Sequence, residues 1–190
     1  MKQLVLIYLA AVMLASCSGG SGADDPDHPY RAEIDSLKKW KGQLEGLGSD
    51  LKKIDLELID SAGQVYDYQV RMLKTYYNPD SVDQQFASIM NGYKKIIQPA
   101  KTRSEVRQLD TNLSFTLKNM TALIDKMEKQ DFDDSEDPDA FYNAERKAAG
   151  KLMQQIELTV MNTEKSLEVF HRLSPEVDKV VSTLDTTAAE

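Results

Sequence analysis

One thiol, two imidazoles and a run of alternating carboxylates are the groups in this chain best placed to do chemistry. Cys17 is the only cysteine. It has no disulfide partner within the chain, and its thiol is free to act as a nucleophile in a covalent modification. Glu168 and His171 stand three residues apart, which on a helix puts a carboxylate and an imidazole on one face. A carboxylate-bridged di-metal bundle needs two such pairs and further carboxylates. The only other histidine, His28, lies in a Gly, Ser, Asp and Pro-rich stretch, so His171 reads as a boundary histidine beside Phe170, paired with a carboxylate one turn earlier and without metal. Asp131, Asp133, Ser135, Asp137 and Asp139 place oxygen side chains at every second residue, the spacing by which a calcium loop converges on its ion. The sixth position is Glu136 where such a loop needs Gly, and the twelfth is Tyr142 where it needs a bidentate Glu. Asp131, Asp133, Ser135 and Asp137 are therefore weak calcium candidates, set against a solvated acidic turn.

Two clusters suggest binding rather than catalysis. Lys94, Lys95, Lys101, Arg103 and Arg107 form the densest basic stretch, a candidate contact for an acidic partner or for the chain's own acidic turn. Tyr66, Tyr76 and Tyr77 crowd one region with Tyr68 and offer aromatic faces to a sugar or a partner surface. No hydrolase elbow, P-loop, dinucleotide loop or HExxH motif occurs. A catalytic Ser would need a base that two histidines scarcely supply. The expectation is a protein without enzymatic activity and without a cofactor. The net charge of −8 argues against nucleic acid as a partner.

The N-terminus has its own pattern. Met1-Lys2 gives a short positive start, Leu4 to Leu14 is apolar, and Leu14-Ala15-Ser16-Cys17 follows, with Ser18-Gly19-Gly20 after it. An apolar run of this length suits a secretion signal and is too short to span a bilayer. The Leu, two small residues and Cys resemble the bacterial lipobox. That resemblance implies cleavage before Cys17, a diacylglycerol on its thiol, and a protein exported and held in the cell envelope by fatty acyl chains. Ser rather than Asp at position 18 implies the outer membrane if the cell is Gram-negative. The domains expected are a signal peptide at 1–16, a lipidated Cys and flexible tether at 17–29, and a helical body at 30–190. Asp35-Ser36-Leu37, Asp60-Ser61-Ala62, Asp80-Ser81-Val82 and Asp185-Thr186-Thr187 also look like the Asp-Ser/Thr-apolar acceptors of an envelope O-glycosylation system.

The elements that position these groups are helices. Leu37, Trp40, Leu44, Leu47, Leu51, Ile54, Leu58, Ser61, Val65, Tyr68 and Met72 alternate three and four apart, which predicts one helix from about Arg31 to Tyr77. Gly42, Gly46 and Gly48 oppose it, and a break near Gly48-Ser49-Asp50 is the alternative. Val82, Phe86, Ile89, Tyr93 and Ile96 form the next stripe; Val106, Leu109, Leu113, Thr116, Met120, Leu123 and Met127 form another, out of phase with it. Pro99 sits where the phase changes, so a kink or break is expected between Gln98 and Glu105. Asp137-Pro138 suits a helix start. Met153, Ile156, Val160, Thr163, Leu167, Phe170, Leu173, Val177, Val180 and Leu184 line the last helix, with a restart or a kink expected at Ser174-Pro175-Glu176. The fold class expected is all-α: an elongated antiparallel up-down bundle of three long helices, four if Pro99 breaks the second. The function expected is a membrane-anchored protein binding another envelope component, a protein or a glycan. The alternative is a module holding a small molecule, metal or sugar between helices.

Overall fold

The computed structural model describes the backbone of residues 28–76, 90, 93 and 98–187, and the side chains of these except 76 and 184–187. The described residues build α1 (Arg31–Lys52), α2 (Leu56–Tyr76), α3 (Pro99–Lys129) and α4 (Pro138–Thr187). Met90 and Tyr93 are helical too, and no strand occurs among the described residues. The molecule is an all-α bundle.

Its course follows from which residues meet. Trp40 stacks on Tyr142 at 5.7 Å, and Gln69 reaches Ser174 and Asp178. α1 and α2 thus run end to end in the direction of α4. Lys38 pairs with Glu128 at 2.7 Å and Arg103 pairs with Asp60, so α3 runs the opposite way. The rods go up, down and up. α4 has 50 residues and is about 75 Å long at 1.5 Å per residue. It threads two separate cores. One joins α1, α3 and the first half of α4 around Ile34, Leu37, Leu44, Met120, Met127 and Ile156. The other joins α2, Tyr93 and the second half of α4 around Ala62, Leu73, Phe170, Val177 and Val181.

The first rod differs from the uninterrupted helix that its spacing predicts. Lys53 to Asp55 leave the helix. The Asp55 carboxylate accepts the backbone N–H of Leu58 at 2.9 Å and caps α2, meeting a donor that a helix start leaves unpaired. The break therefore falls after the glycines rather than among them. Gly48 is a helical position where a side chain would run into Leu113 of α3, so its cost in helix propensity accompanies a close approach of two rods.

The interruption turns α2 by one residue. Beyond it the expected stripe Leu58, Ser61, Val65 and Tyr68 is exposed, and Ile59, Ala62, Gln69 and Leu73 are buried, with Tyr66 half-buried. Both stripes alternate three and four apart, and a helix residue turns through about 100°. The non-helical residues thus swap one face for the other. A hollow of about 420 Å³ lies at the break, bounded by Ile54, Asp55, Val160, Thr163 and Leu167 among others.

The other described elements follow their sequence pattern. α3 opens with Pro99 just after the non-helical Gln98 (φ −129°, ψ 73°), where the missing N–H is harmless. Leu109, Leu113, Thr116, Met120, Leu123 and Met127 are buried as their spacing predicts. Gln130 closes α3 in the left-handed region at φ 52°. The Asp137 carboxylate accepts the N–H groups of Asp139 and Ala140 at 3.1 and 3.2 Å and starts α4. Pro175 lies inside α4, which continues through it. Val82, Phe86, Ile89 and Ile96 lie outside the described residues, whereas Tyr93 of that stripe is fully buried.

Candidate functional site

Two places gather polar groups. The first is in the α2 core. Gln69 is fully buried, and its Nε2 donates to Asp178 Oδ1 at 2.7 Å, to Ser174 Oγ at 3.0 Å and to the Ser174 carbonyl at 3.2 Å. The carboxylate can only accept, so the amide nitrogen must face Asp178 and the amide oxygen must face the other way. There it accepts the Tyr93 hydroxyl. The Tyr93 ring lies edge-on to Tyr66 at 5.0 Å and stacks on Phe170 at 6.1 Å. Burial pushes the Tyr93 hydroxyl above the ordinary tyrosine value; Ser174 works against this, and Asp178 and Tyr66 work with it. The arrangement joins three segments of chain through one amide. Its chemistry is that of a register lock.

The second place is the groove between α3 and α4. Cavities of about 420 and 380 Å³ share Glu105, Thr159 and Asn162. Their walls carry amides and hydroxyls: Gln98, Thr102, Gln108, Asn112, Gln155, Thr163 and Ser166. Toward the acidic turn the same two helices bound a third cavity of about 240 Å³, lined by Asn119, Ala122, Leu123, Lys126, Glu136, Phe141, Ala144 and Glu145. Leu158 lines the groove and is 45% exposed. Phe115 is 65% exposed and lies on the helical stripe joining Asn112 to Asn119. Lys126 Nζ donates to both oxygens of Glu136 at 2.7 and 2.9 Å, and the Asp133 N–H donates to Glu136 at 3.1 Å. These contacts raise the Lys126 ammonium above the ordinary lysine value and lower the Glu136 carboxyl. Glu145 shifts the opposite way: burial pushes its carboxyl up, and a hydrogen bond with Asn119 opposes the rise.

The residues singled out by the sequence are dispersed. Cys17, Lys94, Lys95 and Tyr77 lie outside the described residues, as does the Tyr76 side chain. The rest of the basic stretch is not one patch. Lys101 sits 3.8 Å from Glu105 on its own helix, Arg103 reaches across to Asp60, and Arg107 is exposed. Tyr66, expected on an aromatic surface, is half-buried against Tyr93, while Tyr68, expected inside, is 48% exposed. Among the calcium candidates Asp137 is engaged as a helix cap. No group of three or more His, Cys, Asp or Glu side chains is gathered as a metal site among the described residues. Glu168 and His171 are exposed, and the His171 ring meets Phe170 edge-on at 5.6 Å. Of the expected tether, His28 and Pro29 are described, and His28 Nδ1 accepts the Tyr30 N–H at 3.2 Å.

Sequence reasoning passed over Gln69 and Glu145. A signal for the first was present: Asp55 three residues before Leu58 is a cap, and a cap there permits the change of face that buries Gln69. Glu145 gave none, because its hydrogen-bond partner Asn119 comes from another helix. No helix among the described residues is long and apolar enough to cross a membrane. No protein family, curated protein or solved structure matches this chain.

Proposed function

We propose that this chain is an exported lipoprotein, anchored in the bacterial envelope through Cys17, whose helical body docks another envelope component without catalysing a reaction. The anchor rests on Leu14-Ala15-Ser16-Cys17 after its apolar run. The observation that carries the docking role is the outward stripe of α2. Leu58, Val65 and Tyr68 are 37%, 38% and 48% exposed, spaced seven and three residues apart on one helical face. A helix that keeps apolar side chains on both faces is suited to partners on both. A photo-cross-linker at position 65 of the full chain in its native membranes tests this. It should give a discrete product with one envelope protein or glycan, lost in Leu58→Ser/Tyr68→Ser, while a cross-linker at exposed Asp110 should give none. Equal labelling from both positions would remove α2 as the docking face. Intact mass of the extracted protein should show cleavage before Cys17 plus acyl mass; an unacylated product would remove the anchor.

The second reading, a module that holds a small ligand between helices, is favoured by the amide and hydroxyl walls of the α3–α4 groove, which present donors and acceptors without large net charge. The same cross-linking experiment separates the two. A ligand module gives no macromolecular product from position 65.

A further inference from the structure

The two cavities of about 420 and 380 Å³ between α3 and α4 are one groove, because Glu105, Thr159 and Asn162 bound both. Its walls are two matched rows. On α3, Thr102, Glu105, Gln108 and Asn112 follow at intervals of three and four. On α4, Gln155, Thr159, Asn162 and Ser166 do the same. Such spacing keeps to one face of a helix. The two helices run in opposite directions, so Thr102 and Ser166 share one end of the groove, and Asn112 and Gln155 share the other. Gln108, Asn112, Gln155 and Asn162 are exposed, and among the described residues nothing hydrogen-bonds their side-chain amides. Each amide offers two donors and an acceptor oxygen. Both walls therefore suit a ligand that carries donors and acceptors along its whole length.

Charge and apolar surface narrow the class. Lys101 stands 3.8 Å from Glu105, which leaves Lys165 as the surplus charge in the walls. One cation is too little to hold a polyanion, and it does not attract a polycation. The α3 row continues one turn beyond Asn112 to Phe115, which is 65% exposed, and Leu158 in the opposite wall is 45% exposed. The face of an aromatic ring carries partial negative charge and meets the C–H groups on the face of a sugar. A hydrocarbon would leave both amide rows unused. An extended peptide would lay its side chains against those amides. A sugar chain has hydroxyls at its rim and C–H groups on its faces, and so uses both kinds of surface. The geometry points to this groove as a binding site for a linear, uncharged oligosaccharide, with its hydroxyls between the two rows and one sugar face on Phe115. This rests on the second reading above, of a ligand held between helices. From Thr102 to Phe115 the row is about 20 Å long at 1.5 Å per residue, room for several sugar units. Each hydroxyl exchanges water for an amide at little net gain, so affinity is modest and grows with chain length.

The full chain in a sugar-free detergent is titrated calorimetrically with maltohexaose, cellohexaose, mannohexaose and chitohexaose, with glucose, and with a blocked Gly-Ser hexapeptide. At least one hexasaccharide should bind saturably with Kd on the order of 0.1–1 mM, glucose about tenfold more weakly, and the peptide not at all. Phe115→Ala removes the ring and should weaken hexasaccharide binding about tenfold. Asn112→Ala/Gln155→Ala removes one facing pair of amides and should do the same by about the same factor. All three side chains are exposed, so both variants should keep the helical circular dichroism of the wild type. Asp110→Asn should change nothing. Absence of saturable binding by all four hexasaccharides, peptide binding as tight as the sugar, or unchanged affinity in both groove variants would overturn the site. If the sugars fail and position 65 still gives no cross-linked product, the sugar is rejected and the ligand module stands. A product from position 65 rejects the module itself.

Discussion

Gln69 carries an amide into an aromatic cluster, and its effect depends on which end faces which neighbour. Tyr93→Phe leaves the amide oxygen buried without its donor and should cost about 1–3 kcal/mol in chemical denaturation. Gln69→Leu removes both ends of the amide but strands the Tyr93 hydroxyl. The double variant Tyr93→Phe/Gln69→Leu should therefore be less destabilised than the sum of the singles, by about 0.5–3 kcal/mol; strict additivity would show that the two groups do not act together. Glu145 permits a prediction in pH. Burial raises its folded-state pKa, so the folded chain holds that proton more tightly than the unfolded chain does. Its contribution is fully present below the ordinary glutamate range and is lost as pH rises through the raised value. At neutral pH the charge is a net burden, and Glu145→Gln should raise the thermal midpoint, the gain shrinking in acid. Glu136 slopes the other way, since Lys126 and the Asp133 N–H lower its pKa and its contribution is lost as pH falls. Thermal melts of wild type and variant at matched pH isolate Glu145; a variant less stable at neutral pH would refute the account.

At the scale of the element, the break at Lys53 to Asp55 frees α2 to turn a different face inside. Asp55→Ala should cost about 0.5–2 kcal/mol by loss of the cap, with the loss of amide protection concentrated at residues 56–58. The start of α3 packs against α2 through Gly63, where an added Cβ would collide with the Pro99 ring. That ring is rigid and cannot turn aside as the Leu113 side chain could at Gly48. Gly63→Ala gains about 1 kcal/mol of helix propensity but meets an overpacking cost of about 1–3 kcal/mol. The expected outcome is net destabilisation measured by urea unfolding, with the α2–α3 contact loosened. A stabilised variant would mean that the two helices separate easily. Hydrogen exchange should confine rapid opening to the first turn of α3. Gln98 is the non-helical residue, and from Thr102, whose N–H donates to the Gln98 carbonyl at 3.0 Å, the ladder is complete.

As a whole, the molecule is a set of rods strung along α4. The up-down-up course predicted from the sequence is present, although the first rod is two helices. Pro175 within α4 withdraws one backbone donor, and the helix runs on past it, carrying Asp178 to Gln69 and Val177 into the α2 core. Solution scattering of the full chain should give a maximum dimension no smaller than about 75 Å, the length of α4; a near-spherical profile would contradict the arrangement. If Cys17 is the anchor, Cys17→Ala should move the protein out of the membrane fraction or leave the leader uncut, with helical circular dichroism unchanged, because the apolar stripes of the helices lie between residues 30 and 185 of the sequence.

The helical class, the stripes of α1, α3 and α4, the acidic turn (expected at Asp131 to Asp139 and ended by the helix start at Pro138) and the Asp137-Pro138 start were all legible in the sequence, because period and capping chemistry are local properties of a few neighbouring residues. The face of α2 was not. Leu58, Ser61, Val65, Tyr68 and the stripe beginning at Ile59 have equal spacing and nearly equal apolar content, so no local rule separates them. The choice was made by groups distant in the chain: Ser174, Asp178 and Tyr93 supply the partners without which Gln69 could not be buried. The cleft at Glu145 has the same origin. A carboxylate on one helix becomes desolvated only when another helix is laid beside it, and that is a property of packing.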